Sequence, residues 1–117
     1  MSCPRFIAES MALRTAAHLA HLTTTSYAQH VALSDFYSSL VELADSYAEV
    51  YMGLNARIES FPVVQTPRGD IVSNLEDYLE VVRDEQKEDH GSEALKNILA
   101  EVEELTARTL YKLRNLK

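Results

Sequence analysis

The sequence predicts an all-α protein, a single four-helix bundle built from two helical hairpins. Apolar residues recur at steps of three and four along most of the chain, the period of a helix with one buried face. Breakers are scarce, with three glycines and three prolines in 117 residues. Short turns join the first pair and the second pair of helical segments, and a longer connection joins the pairs, which favours two hairpins.

The first helix is expected from about Pro4 to Leu22. Pro4 suits a first turn, where its missing N–H costs nothing, and Phe6, Ile7, Met11 and Leu19 form a loose apolar stripe. The run Thr23-Thr24-Thr25-Ser26 reads as a turn or a weakened helix end, because these residues cap better than they propagate. The second helix is expected from roughly His30 to Glu59, about 45 Å long, with Leu33, Phe36, Leu40, Leu43, Tyr47, Val50, Leu54 and Ile58 on its inner face. Pro62 and Pro67-Arg68-Gly69 mark a linker too short to separate domains. The third helix spans roughly Asp70 to Asp89 on Val72, Leu75, Leu79 and Val82. Gly91 and Ser92 then read as a stop and a fresh N-cap. The last helix uses Leu95, Ile98, Val102, Leu105, Leu110 and Leu113.

Composition narrows the function classes. A net charge of −7 opposes broad nucleic-acid binding, which draws on Lys and Arg, and favours attraction of cations. Cys3 is the single cysteine, so no internal disulfide framework and no cysteine-based zinc site is expected. The stretch Met1 to Ala20 is too polar for a signal peptide, and no segment approaches transmembrane length. A soluble cytoplasmic protein is the expectation.

Four residues stand out from the bundle pattern: His18, His30 twelve residues later, then Asp45 and Glu49. Nitrogen and oxygen donors without thiolate suit iron, zinc or manganese. Asp45 and Glu49 are i and i+4, so their carboxylates leave one helix face a turn apart; two solvated acids would look the same. His21 adds a third imidazole around the first turn. His30 and Asp45 lie about 22 Å apart along one helix, whereas ligand atoms sit about 2 Å from a metal. One chain therefore cannot bring both to one ion. Fifteen residues leave them within about 60° of the same side, so two such helices, antiparallel about a two-fold axis, would place His30 of one copy beside Asp45 and Glu49 of the other. The axis would pass near Ser38 and Ser39, which are either small contact residues or merely exposed polar ones.

The set His18, His30, Asp45 and Glu49, with the string Asp45-Ser46-Tyr47-Ala48-Glu49, resembles the Dps family, the ferritin-like mini-ferritins also known as DNA-binding proteins from starved cells. In that family two histidines at this spacing and an Asp-x-x-Ala-Glu string form a ferroxidase centre between two subunits. Tyr27 stands where an aromatic residue usually precedes the second histidine. The likeness is best from His18 to Gly53 and fits the last helix in pattern only. Ser34 replaces a carboxylate usual in the family, with Asp35 one place later and turned by about 100°. Leu19 and Thr23 replace a usual Trp and Gly, and the chain is short for the family, with little room for the small helix often found between the second and third.

The resemblance implies a ferritin-like bundle that oxidises Fe(II) with peroxide or dioxygen and stores ferric iron in a shell, typically dodecameric. It implies His18 and His30 as nitrogen ligands, Glu49 as a bridging or chelating ligand, and Asp45 as a ligand or an orienting group. Asp35 and His21 are substitute donors for the missing carboxylate, and zinc or manganese share the donor set. Tyr27, Tyr37 and Tyr47 either quench radicals or pack. The Lys-rich tail that serves DNA protection in the family is missing; Arg108, Lys112, Arg114 and Lys117 form a modest basic end that suits the helix dipole, so direct DNA binding is expected to be weak or absent. The competing expectation is a non-catalytic helical scaffold that keeps the fold and has lost the chemistry. A bundle built on Glu-x-x-His pairs is disfavoured, because no such pair occurs; Glu88-Asp89-His90 has the wrong spacing.

Overall fold

The computed structural model describes residues 2–88 and 90–117. Four helices follow in order: α1 (Cys3–Thr23), α2 (Tyr27–Leu54), α3 (Ile71–Gln86) and α4 (Glu93–Asn115). Each begins on a side chain that accepts an otherwise unpaired backbone N–H. Ser2 accepts from Arg5, Ser26 from Gln29, Asp70 from Ser73, and Ser92 from Leu95. Pro4 lies in the first turn of α1, as expected.

Each helix packs on two others. α1 touches α2 and α3, α4 touches α2 and α3, and the remaining pairs sit on the diagonals. The connection 55–70 is sixteen residues long, reckoned from the helix ends. It runs back along α1: Phe61–Val64 lie beside Ile7–Met11, and Pro67–Gly69 beside Ala16–Thr23. α3 therefore starts next to the α1–α2 turn and runs parallel to α2. Arg114 near the end of α4 reaches Glu76 near the start of α3, so the last two helices are antiparallel. One long crossover between two hairpins is the connectivity of ferritin-like bundles. The 28 residues of α2 span about 42 Å, which sets the 44 Å length of the molecule.

Phe6, Leu13, Leu33, Phe36, Leu40, Tyr47, Leu75, Val82, Leu95 and Val102 fill the core. Several sequence expectations need correction. α2 begins at Tyr27 and ends at Leu54, because Ser26 caps it and the chain leaves the bundle at Asn55 to cross over. Ile58 is thus a partly buried crossover residue, and Leu54 is exposed. Leu19 is exposed as well, lying beyond the inner stripe. α3 stops at Gln86 with Lys87 as its C-cap; the expected end at Asp89 lies outside the described residues. Gly91 has φ +69° but stands in the turn, four residues past that cap. The connection is longer than expected, because it must cover the length of α1, and residues 55–70 contain no helix. It also explains the loose apolar stripe of α1, since Ile7, Met11 and Ala12 meet the crossover while Ile7 also belongs to the core and Met11 packs against it.

Candidate metal site

The α1–α2 turn brings all three sequence-selected imidazoles, His18, His21 and His30, together with Tyr37. The His18 ring stacks on Tyr37, with centroids 4.2 Å apart and planes inclined by 18°. His21 stacks on His30 at 3.7 Å and 19°, and lies 6.0 Å from His18. Capping makes this possible: Thr24 ends α1 and Ser26 starts α2, so a turn of three residues faces the last turn of one helix with the first turn of the next.

Two hydrogen bonds fix the stacked pair. His21 Nδ1 donates to the carbonyl of His30 at 2.7 Å, and His30 Nδ1 donates to the carbonyl of His21 at 2.8 Å. A carbonyl only accepts, so both rings carry a proton on Nδ1. In the neutral ring the lone pair is then on Nε2. A backbone carbonyl holding the far ring nitrogen is the usual support of a metal-binding histidine.

The carboxylates are elsewhere. Asp35, Asp45 and Glu49 are exposed on the outward side of α2, with Ser38 between them and Ser39 half-buried beside it. Among the described residues none of the three acids forms an ion pair. Ser34 is half-buried one turn after His30. Among the described residues, no group of three or more His, Cys, Asp or Glu side chains could hold a metal ion within one chain. The same end of the molecule exposes Leu19, Leu22, Tyr27 and Val31, an apolar fringe of the kind that marks contact surfaces. Tyr47 is fully buried and meets Phe6 edge-on at 5.2 Å, so packing accounts for it.

Sequence reasoning missed a second polar cluster at the opposite end. Glu85 is fully buried on α3. Its Oε2 accepts from the Tyr47 hydroxyl at 2.7 Å and from His90 Nε2 at 2.9 Å, while Oε1 has no partner. Burial and the nearby Glu85 charge push the Cys3 thiol up to about 12. The signal was present: Glu85 continues the Leu75, Tyr78, Val82 spacing onto the inner face, where an acid is out of place.

No helix among the described residues is long and apolar enough to cross a membrane. No curated protein and no solved structure matches the chain. A family profile does match residues 21–113, a span that contains His21, His30, Asp45 and Glu49 and leaves out His18. By that match the chain belongs to the family described as a family of unknown function, DUF5856.

Proposed function

We propose that this chain is a Dps-like mini-ferritin of the cytoplasm. It binds Fe(II) between two copies of itself, oxidises it with peroxide or dioxygen, and keeps the ferric product in an oligomeric shell, dodecameric by the resemblance. The observation that carries the reading is the pair of Nδ1–H to carbonyl bonds joining His21 and His30. They leave two Nε2 atoms as candidate donors, in half-buried rings, without requiring either ring to reorganise. The outward acids of α2 are the complementary half: exposed, without an ion pair among the described residues, and on the face that antiparallel pairing about Ser38 and Ser39 would bring to the histidines of a second copy.

The donors fit the cargo. Imidazole holds Fe(II), and hard carboxylates favour Fe(III). His18 and His30 are the proposed nitrogen ligands, Glu49 and Asp45 of the second copy the oxygen ligands, with His21 or Asp35 standing in for the carboxylate that Ser34 lacks. Zinc or manganese would occupy the same donors. Direct DNA binding by the acidic chain is weak or absent on this reading. The test is to add Fe(II) anaerobically, admit peroxide or oxygen, and follow the ferric absorbance. Wild type forms ferric product quickly, and a His30→Ala, Glu49→Ala double variant forms it at the rate of buffer alone. Equal rates in both proteins sink the reading.

The scaffold reading keeps two observations in its favour. Ser34 and the lack of a three-donor group within one chain among the described residues fit a bundle that oligomerises through α2 without chemistry. In that case wild type assembles but adds nothing to the rate in buffer.

A further inference from the structure

We infer that Arg14 is the counter-charge of the α2 face, reaching across the interface to Glu42 of a second copy. The inference rests on the reading that α2 pairs antiparallel with α2 of another chain about Ser38 and Ser39, and it names the charge that such pairing requires.

The outward face of α2 is a single stripe. Asp35, Ser38, Glu42, Asp45 and Glu49 recur at alternating steps of three and four, and all are exposed. All but Ser38 are acids, and among the described residues none of them forms an ion pair. A two-fold axis between Ser38 and Ser39 sets Asp35 level with Glu42 of the second copy, and Tyr37 level with Leu40. The acid-on-acid contact occurs twice, once on each side of the axis. Like charges held side by side repel, more so as water leaves the seam, so the pairing calls for a cation at that level.

The α1–α2 hairpin supplies one. Arg5 and Arg14 are the only Lys or Arg residues before Arg57, and Arg5 is already paired with Glu9. Arg14 forms no ion pair among the described residues. It is half-buried, its guanidinium lies 5.6 Å from the centre of the Tyr37 ring, and its Nε is buried without a hydrogen-bond partner. That contact puts Arg14 level with Tyr37, and so with Leu40 of the second copy. Glu42 of that copy is two residues further on, about 3 Å along the helix axis. Its Asp35 and Asp45 are five residues off, about 7.5 Å, which leaves Glu42 as the nearest acid. Arg108 shares a groove with Glu42 but is held by Glu104. A guanidinium already resting on an aromatic ring loses little freedom when the carboxylate arrives.

Sedimentation of the full chain at low ionic strength tests this through a double-mutant cycle. Wild type forms a dimer, and Arg14→Gln raises its dissociation constant about tenfold. In a Glu42→Gln background the same change moves the constant by less than about twofold, because the pair is already gone. Arg83→Gln makes an equal change in net charge on α3, diagonal to α2, and leaves the dimer intact. Arg14→Met, which also fills the space over Tyr37, serves in the cycle if Arg14→Gln fails to fold. An unchanged constant in Arg14→Gln, equal weakening by Arg83→Gln, or an undiminished effect in the Glu42→Gln background overturns the pairing. In each of those cases ferric formation by a dimeric wild type leaves the iron reading standing. A wild type that stays monomeric at every concentration overturns both.

Discussion

His21 and His30 each hold the other's main chain: nine residues apart, they exchange two Nδ1–H to carbonyl bonds while their rings stack at 3.7 Å. The pair is thus a structural clasp as well as a candidate donor set, and the two roles separate by mutation. Replacing either histidine by Ala removes one bond and leaves a carbonyl without its partner, at a cost of about 1–3 kcal/mol. Because the bonds are reciprocal, the double variant should cost less than the sum of the singles. Asp45→Ala and Glu49→Ala alter exposed residues with no ion pair among the described residues, so they should leave stability within about 0.5 kcal/mol. Urea denaturation of the five proteins checks both statements; equal losses for His30→Ala and Glu49→Ala would contradict them.

Much of this fold was legible because helix periodicity and capping residues act locally. Leu33, Phe36, Leu40 and Tyr47 repeat at helical steps, and all are buried. Ends were less legible. Ser26 caps α2 from within the Thr/Ser run that joins it to α1, and the choice among several capping residues is settled by how α1 and α2 pack. The crossover was undersized for a topological reason: its length depends on where α3 must start, which no local pattern states. In the candidate site, the histidines could be grouped from sequence because the turn between them is short. The Glu85 cluster joins residues up to 38 positions apart by hydrogen bonds, a geometry that a Glu-x-x-His pattern on one helix does not describe. His90 reaches Glu85 from beyond the helix end, a five-residue span.

Alkaline pH should destabilise the protein from about pH 9 upward. Burial, reinforced by the Glu85 charge, lifts the Cys3 thiol from 9.0 to about 12. Burial raises Tyr47 and Tyr78 in the same direction, with the hydrogen bond to Glu85 adding to the shift at Tyr47 and that to Ser10 opposing it at Tyr78. These groups are anionic when deprotonated, so a raised value means that the folded protein keeps a proton the unfolded chain has lost. Unfolding then releases protons, and stability falls as pH rises, by at most about 1.4 kcal/mol per pH unit for each group. Thermal unfolding between pH 7 and pH 11 should show a plateau followed by decline. Cys3 should resist alkylation at pH 8 until denaturant is added; rapid labelling of the native protein would contradict the burial argument.

Ser26→Ala tests the cap that sets the start of α2. Its hydroxyl accepts from Gln29 N at 3.2 Å, and its loss should cost about 1 kcal/mol. Because His30 follows four residues later, in the first turns of the same helix, fraying should reach the histidine clasp before the core. Amide protection at 28–31 should fall more than protection at 40–47. Uniform loss across α2 would mean that the cap acts on the whole bundle and not on its first turn.

Ser34 offers the sharpest choice between iron chemistry and a silent scaffold. It lies one turn after His30 and is half-buried, so a carboxylate there would stand on the same helix face as the imidazole. Ser34→Asp adds a hard oxygen donor there without touching the caps or the stacked rings. If Fe(II) is oxidised at this surface, the added ligand should raise the initial rate of ferric formation by about tenfold, the scale on which single ligand-shell changes act. It should do nothing in a background carrying His30→Ala. Asp at this position places negative charge beside Tyr37 and near Asp35, so a small loss of stability is expected whichever reading holds. Rate and stability are therefore measured together. An unchanged rate in a folded Ser34→Asp protein, alongside a wild type that oxidises iron, would show that the iron is handled by residues other than the clasp.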